Sequence, residues 1–374
     1  MTACSRSMQK RLTGRHPLDF LIFFVTGRCN ARCQHCFYWK SIGPKHRGLS
    51  LAQIEQITRS SPPFRTLLLS GGEPTLREDL PQLIDLFRRY SHIHTVDVPT
   101  NGLVPDRIAS LAEEVLAVNT TLQHISFNLS IDGFPETHDR IRGVEGSFEQ
   151  AIETAERLQG LKASFSNLRV VVNSVICAEN YVELVDFSHY LYEQRLFDNH
   201  FFEIIRGSSP NERLQGVPPE ALANIYTEVL PIQEGYWRHH KWLRSGGLQL
   251  IWRRASDIGK LAYQYRTQWR IYTQGGRWRF PCLAGDSIAV IDYDGSLGAC
   301  ELRDNRVNLQ DFDFDLSRAL ASEAMDAERR IAKSHQCDCT HVCFLTASLQ
   351  HSELRHRLAA LGAYGLYKLT GRYR

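Results

Sequence analysis

The chain has 374 residues, of which 43% are hydrophobic and 23% charged, as in an ordinary globular protein. The formal net charge is +3 and the basic residues are scattered, so we expect neither a nucleic-acid partner nor a membrane surface. The apolar run LDFLIFFV is too short to span a bilayer and lacks the features of a secretion signal. Ten cysteines without an export signal indicate a reducing, cytoplasmic location where thiols serve metals or catalysis.

Apolar runs alternate with amphipathic segments from residue 18 to about 205. Six runs predict strands, at Phe20–Val25, Thr66–Leu69, Thr95–Val98, Ile125–Ile131, Leu168–Ile176 and His200–Ile205. Five segments predict helices, one after the capping box Ser50 to Gln53 and the others at Asp79–Tyr90, Pro105–Val118, Ser147–Gln159 and Tyr181–Arg195. Strands that alternate with helices predict βαβ units in a parallel sheet, curved into a partial barrel with its site at the carboxyl ends of the strands.

The remainder of the chain has a different pattern. The pattern of residues 206–281 predicts mainly helix, and the segment is rich in tyrosine and tryptophan. We expect these aromatic side chains either to pack in a core or to line a substrate cavity. The pair Asp294-Gly295 between apolar runs predicts a β-hairpin. Cys177 follows an apolar run, and we expect it to be a buried core thiol.

Three cysteines, Cys29, Cys33 and Cys36, lie in one short loop after the first predicted strand. Their spacing, Cys-x3-Cys-x2-Cys, suits three irons of a [4Fe–4S] cluster and leaves the fourth iron without a cysteine ligand. An open metal position is typical of a catalytic site. On these cysteines alone, a zinc knuckle or a cluster of buried thiols stays an alternative.

A second motif, Gly71-Gly72-Glu73-Pro74, follows the second predicted strand. Its glycines permit close approach of a ligand to the backbone, and the glutamate can accept a hydrogen bond from an ammonium group. With the cysteine loop, this motif resembles those of the radical S-adenosylmethionine (SAM) superfamily. The resemblance implies that SAM fills the open iron and that one-electron cleavage of SAM gives a 5′-deoxyadenosyl radical. That radical would take a hydrogen atom from an unactivated C–H bond of the substrate.

The resemblance also implies further SAM-binding residues at the ends of later strands. Asn101 lies in a Thr-Asn-Gly turn after the third strand, and Ser130 and Asp132 lie in Ser-Ile-Asp-Gly after the fourth. Arg142 follows in a stretch whose last arginine can grip the methionine carboxylate of SAM in relatives. The alternatives are a strand-end turn for Ser130 and a surface ion pair with Asp139 or Glu145 for Arg142. Where relatives often have a larger aromatic before the third cysteine, this chain has a histidine.

A second cysteine group near the C-terminus indicates a second metal centre. Its five members are Cys282, Cys300, Cys337, Cys339 and Cys343. The group resembles the SPASM extension of radical SAM enzymes, and with five cysteines rather than seven it is more similar to the twitch version with one auxiliary [4Fe–4S] cluster. The preferred ligands are Cys282, Cys300, Cys339 and Cys343, with Cys337 a substitute for one of the last two. Zinc stays open, because His335 and His341 are interleaved with these cysteines.

Glu301 follows Cys300 at a place where sulfatase-maturating relatives have an acidic residue that is a candidate proton acceptor. We therefore expect Glu301 to be a candidate general base, with a solvent-facing carboxylate or a pair with Arg303 as the alternative.

The predicted organisation of the chain has five parts. They are an N-terminal extension (1–17), a radical SAM partial (β/α)6 barrel (18–205), a helical connection (206–281), a cysteine-rich hairpin and helix (282–345) and a C-terminal helix with a basic tail (346–374).

Few residues precede the first strand, which favours a small-molecule substrate over a peptide substrate. A peptide- or protein-modifying maturase and a non-catalytic iron–sulfur or zinc protein are the alternatives. An electron donor such as flavodoxin or ferredoxin is the expected protein partner.

Overall fold

The computed structural model describes residues 16–239, 248–334 and 339–371. In those ranges the strands are β1 (Phe20–Thr26), β2 (Thr66–Gly71), β3 (Thr95–Thr100), β4 (His124–Ser130), β5 (Leu168–Ile176), β6 (Asn199–Ile204), β7 (Ile288–Ile291), β8 (Ser296–Gly298) and β9 (Arg306–Asn308). The helices are α1 (Leu51–Ser60), α2 (Leu80–Tyr90), α3 (Pro105–Val118), α4 (Pro135–Arg142), α5 (Ser147–Leu161), α6 (Leu184–Gln194), α7 (Pro219–His239), α8 (Leu248–Gln274), α9 (Leu316–Leu320), α10 (Glu323–Ser334), α11 (Val342–Gln350) and α12 (Leu354–Thr370).

All strands belong to one sheet of order β6-β5-β4-β3-β2-β1-β7-β8-β9. Strands β1 to β6 are parallel to their neighbours, as the alternating pattern predicts. The α/β class and the partial (β/α)6 arrangement are therefore confirmed. Because the strands are parallel, the loops after β1, β2, β3 and β4 leave the same edge of the sheet.

The two faces of the sheet differ in polarity. Apolar side chains of β3 and β4, among them Val96, Val98, Ile125 and Phe127, are fully buried in the hydrophobic core, and α5 packs against β4 and β5. The alternate positions of the same strands are half-buried and largely polar. We call this second side the inner face of the sheet. Polar residues lie on the inner face because the hydrophobic core packs against the opposite face of the sheet.

The C-terminal hairpin joins the main sheet rather than forming a layer of its own. Strand β7 is parallel to β1, with Phe20 opposite Ile288, and β8 and β9 continue in antiparallel fashion. The hairpin turn is the predicted one, and Gly295 occupies the left-handed region at φ +88°. The Tyr38 hydroxyl, in the segment after Cys36, donates a hydrogen bond to Asp292 at the end of β7. The extension is thus attached directly to the cysteine loop.

Most predicted elements have the expected bounds. The capping box before α1 is present, with the Ser50 amide 2.9 Å from Gln53 Oε1. Cys177 is fully buried, and burial raises the pKa of its thiol to about 12, as predicted for a core residue. In the aromatic region, Tyr226 and Tyr265 stack with ring centroids 4.2 Å apart and form core.

Two helices differ from the prediction. The short helix α4 lies where only a SAM-binding stretch was expected, and its C-terminal residue is Arg142. Helix α6 begins at Leu184 rather than at residue 181, because the preceding residues form a turn around Asn180. The buried Asn180 side chain accepts from the Cys177 amide and donates to the carbonyls of Asp132 and Val175.

Candidate functional site

The cysteine loop after β1 is fixed from two sides. The amides of Arg32 and Gln34 donate to the carbonyls of Arg142 and Ile141 at the end of α4, at 3.3 and 2.8 Å. The Gln34 carbonyl accepts from the Asn211 amide at 3.1 Å, in the segment after β6. The loop conformation therefore depends on segments more than a hundred residues away in sequence.

The three thiols of this loop lie together and are half-buried. Cys33 and Cys36 each raise the pKa of Cys29, and Cys33 raises the pKa of Cys36, because the thiols of this loop are near one another. Burial raises the pKa of Cys29 to about 12 and that of Cys36 to about 11. Thiols with such pKa values become thiolates at neutral pH only when a metal replaces the proton.

The donor set, three thiols on one loop, is of the kind that ligates an iron–sulfur cluster. Within the described ranges, no group of three or more histidine, cysteine or acidic side chains is close enough to hold a lone metal ion.

The Gly-Gly-Glu-Pro loop after β2 lies directly against the cysteine loop. The Gly72 amide donates to the Thr26 carbonyl and the Glu73 amide to the Arg28 carbonyl, each at 2.7 Å. A methyl group at Gly72 would overlap the Arg28 carbonyl and approach the Cys29 Cβ to 3.1 Å. Gly71 has φ +118°, which favours glycine. Both glycines are therefore required by the contact between the two loops.

The Glu73 carboxylate is buried and already has donors within the chain. Thr75 donates to Oε1 through its amide at 3.2 Å and its hydroxyl at 2.6 Å, and the Asn101 amide donates to Oε2 at 2.7 Å. Burial raises the pKa of Glu73, and these hydrogen bonds oppose the rise. Glu73 therefore holds the loops after β2 and β3 together, and its contact with the SAM ammonium stays a prediction.

The loop after β4 supplies a buried ion pair. Asp132 is fully buried, and its Oδ2 lies 2.7 Å from Arg142 Nη2. Arg142 Nη1 in turn donates to the Cys33 sulfur at 3.7 Å, and Arg142 Nε is buried without a partner in the described part of the chain. The alternative of a surface pair between Arg142 and Asp139 is thereby wrong, since Asp139 accepts from the amides of 146 and 148 at the start of α5.

Ser130 lies at the end of β4, and His35 lies in the cysteine loop beside Asp132. Ser130 ends β4 opposite Asn173 of β5 and is half-buried on the inner face. His35, within the cysteine loop, is buried with Nε2 3.6 Å from Asp132 Oδ2, and burial lowers its pKa to about 4. His35 is therefore neutral at neutral pH.

The C-terminal cysteines are described in part. Cys337 and His335 lie outside the described residues. Cys282 and Cys300 flank the β7–β8 hairpin, and Cys339 and Cys343 lie before and within the first turn of α11. Burial raises the pKa of Cys343 well above its usual value, and the nearby carboxylates of Glu203 and Glu301 raise it further.

Glu301 does not face solvent and does not pair with Arg303, which contacts Glu328 instead. Glu301 Oε1 lies 2.7 Å from His341 Nε2 and 2.9 Å from Arg206 Nη2. These partners overcome the effect of burial and lower the pKa of Glu301 to about 2. A carboxylate of that pKa holds a proton weakly, so the geometry favours a role in positioning Arg206 over one as general base.

Arg206 connects the two cysteine groups, and sequence reasoning missed it. Its guanidinium lies 4.7 Å from the ring centroid of Phe37, the residue after Cys36, and pairs with Glu301, the residue after Cys300. It also pairs with Glu203. The one available signal was an arginine and glycine directly after the sixth predicted strand, a position where binding residues concentrate.

A parallel (β/α)6 sheet with three clustered thiols at its carboxyl edge, beside a glycine-rich loop, is the arrangement of a SAM-dependent iron–sulfur protein. Residues 23–190 match the model of the radical SAM superfamily. These residues, just under half of the chain, therefore form a radical SAM domain, and a C-terminal extension follows it in the fold. A SAM-binding [4Fe–4S] cluster and SAM are accordingly its cofactors.

Individual relatives are more distant. The chain is 32% identical to Fe-coproporphyrin III synthase of Methanosarcina barkeri over 41% of its own length and 37% of that protein. It is 30% identical to the mycofactocin maturase MftC of Mycolicibacterium smegmatis over 45% of its own length and 40% of that protein. It thus spans less than half of either relative.

The likeness to solved structures extends over nearly the whole chain. Native anSMEcpe with bound AdoMet superposes with a TM-score of 0.58 at 16% identity, over 94% of this chain and 97% of that one. At this identity the likeness concerns the fold, which includes the C-terminal extension. None of the described helices combines the length and apolar character needed to cross a membrane.

Proposed function

We propose that this chain is a radical SAM enzyme that acts on a C–H bond of a small-molecule biosynthetic intermediate, by dehydrogenation, epimerisation or decarboxylation. The observation that carries the proposal is the meeting of loops at one edge of the sheet, where Arg142 donates to the Cys33 sulfur. When bound, the cluster and SAM supply a 5′-deoxyadenosyl radical that abstracts hydrogen.

The residues divide into those that hold the cofactors and those that position them. Cys29, Cys33 and Cys36 ligate the SAM-binding cluster. The proposed SAM-binding set is Gly71, Gly72, Glu73, Pro74, Asn101, Ser130 and Arg142. Asp132 orients Arg142, whose unpartnered Nε suits an anionic group such as a carboxylate. A hydrogen bond to a cluster sulfur also tunes its reduction potential.

The second cysteine group holds an auxiliary [4Fe–4S] cluster in this proposal. Cys282, Cys300, Cys339 and Cys343 are its ligands, with Cys337 as the substitute. Support comes from the burial of Cys343 beside the inner face and from the likeness of the whole fold to anSMEcpe. Glu301 and Arg206 fix the side chains between the two cysteine groups and help to exclude water from the substrate.

A peptide-modifying maturase is the second candidate. It is supported by the relative named mycofactocin maturase and by the anSMEcpe structure that contains a bound peptide. The relative named Fe-coproporphyrin III synthase supports the small-molecule reading. An electron donor such as flavodoxin or ferredoxin, and a cytoplasmic location that keeps the thiols reduced, complete the proposal.

The test uses anaerobically reconstituted protein with SAM and a strong reductant. The wild type should form 5′-deoxyadenosine and contain about eight irons per chain, the sum of two four-iron clusters. Cys33→Ala should form none, whereas Cys343→Ser should retain about four irons and still cleave SAM. Absence of 5′-deoxyadenosine from the wild type under every reducing condition contradicts the proposal, and about four irons in the wild type contradicts the auxiliary cluster.

A further inference from the structure

The inner face of the sheet carries a row of polar side chains where a packed barrel would have aliphatic ones. In barrels without an internal ligand, branched apolar residues fill this space. Here the half-buried inner positions of β3 to β6 include apolar Pro99 and Val175 and a larger polar set, which is Asp97, Ser126, Asn128, Ser130, Asn173 and Glu203. The register places Asp97 opposite Ser126. Such a lining suits a polar ligand.

Asp97 and Asn128 form the centre of this row. The side chains of Ser126 and Asn128 hydrogen-bond to the Asp97 carboxyl, while burial raises its pKa to about 6. Asn128 Oδ1 is buried and has no hydrogen-bond partner in the described part of the chain. A buried carbonyl left unpaired costs about 1–3 kcal/mol, so a ligand that donates a hydrogen bond here gains affinity.

The charge of the surrounding groups is unbalanced toward the negative. Glu203 and Glu301 share the guanidinium of Arg206, and Glu301 also contacts His341. The pKa of Asp97 is set by burial and by the side chains of Ser126 and Asn128. No cationic side chain of the described residues contributes to it. Asp97, Glu203 and Glu301 all act on Cys343, so they surround one region.

We propose that Asp97 and Asn128 form a substrate subsite that takes an amino or hydroxyl group of a small polar molecule and disfavours anionic substrates. This inference rests on the proposed function and specifies its substrate class. Asp97 lies three residues before the end of β3, about 10 Å along the strand from the loops proposed to hold SAM. A ring the size of a hexose spans much of that distance.

Binding is tested on reconstituted holoprotein with SAM, by calorimetry, with three probes of one ring and different charge. Glucosamine is cationic, glucose neutral and glucose 6-phosphate anionic. Glucosamine should bind at least about tenfold more tightly than glucose 6-phosphate. Asp97→Asn should reduce that ratio to about threefold or less, and Asn128→Asp, which adds a carboxylate, should increase it.

The matched control is Asp313→Asn, the same change at a side chain that is 91% exposed, which should leave the ratio unchanged. Iron content and circular dichroism establish that each variant is folded. Three results would overturn the inference. Glucose 6-phosphate binds as tightly as glucosamine or more tightly, the affinity ratio of the two probes is unchanged in both inner-face variants, or no probe binds. SAM cleavage without substrate is measured separately, so a wild type that binds in the expected order but forms no 5′-deoxyadenosine overturns only the proposed function.

Discussion

Glu301→Gln removes one charge from a buried cluster and keeps the shape of the side chain. The side chains of Glu301 and Arg206 are only 4% and 16% exposed, so solvent screens their interaction little. The fall of the Glu301 pKa from 4.5 to about 2 corresponds to about 3 kcal/mol of stability at neutral pH. We expect the variant to lose about that much free energy of unfolding, measured by urea denaturation at pH 7 under anaerobic conditions.

The pH dependence has a defined sign. Because the folded-state pKa lies below the usual value, the carboxylate contributes its full stability above about pH 4.5. The contribution is lost as the pH falls from there through about 2, so the difference between wild type and variant should shrink over that interval. A difference that grows on acidification contradicts the charge-pair explanation.

The control for Glu301→Gln is Glu136→Gln, the same change at a side chain that is 95% exposed. It should alter the free energy of unfolding by no more than about 0.5 kcal/mol. If Glu301→Gln is as mild as this control, the buried contacts of Glu301 do not stabilise the fold. If SAM cleavage without substrate persists in Glu301→Gln while substrate conversion falls, Glu301 acts on the substrate side of the site.

The remaining predictions concern the loop contact and the Asn180 turn. Gly72→Ala should abolish 5′-deoxyadenosine formation, because the new methyl group overlaps the Arg28 carbonyl. The control is Gly362→Ala, at an exposed position of α12 with open space around it, and it should stabilise the protein by about 0.5–1 kcal/mol. If Gly72→Ala still forms 5′-deoxyadenosine, the proposed loop contact is refuted. Asn180→Ala should lower the free energy of unfolding by about 3 kcal/mol through the loss of three buried hydrogen bonds, and a loss under about 1 kcal/mol would show that the turn forms without them.

The sequence by itself determined the class of the protein. Cys29, Cys33 and Cys36 are close in sequence, so their spacing alone specifies a common loop. Strand and helix periodicity predicted the parallel sheet, because each period follows from which side of a local element is buried. The parallel arrangement then placed the glycine-rich loop beside the cysteines.

The tertiary structure decided which charges meet. Arg206 pairs with Glu301 across 95 residues, and no local pattern predicts a contact of that range. The parallel pairing of β7 with β1 also lay beyond the hairpin signal, because strand order depends on the whole sheet. The tertiary structure also decided the state of Glu301: burial alone would raise the pKa of its carboxyl group, and the contacts with His341 and Arg206 lower that pKa to about 2.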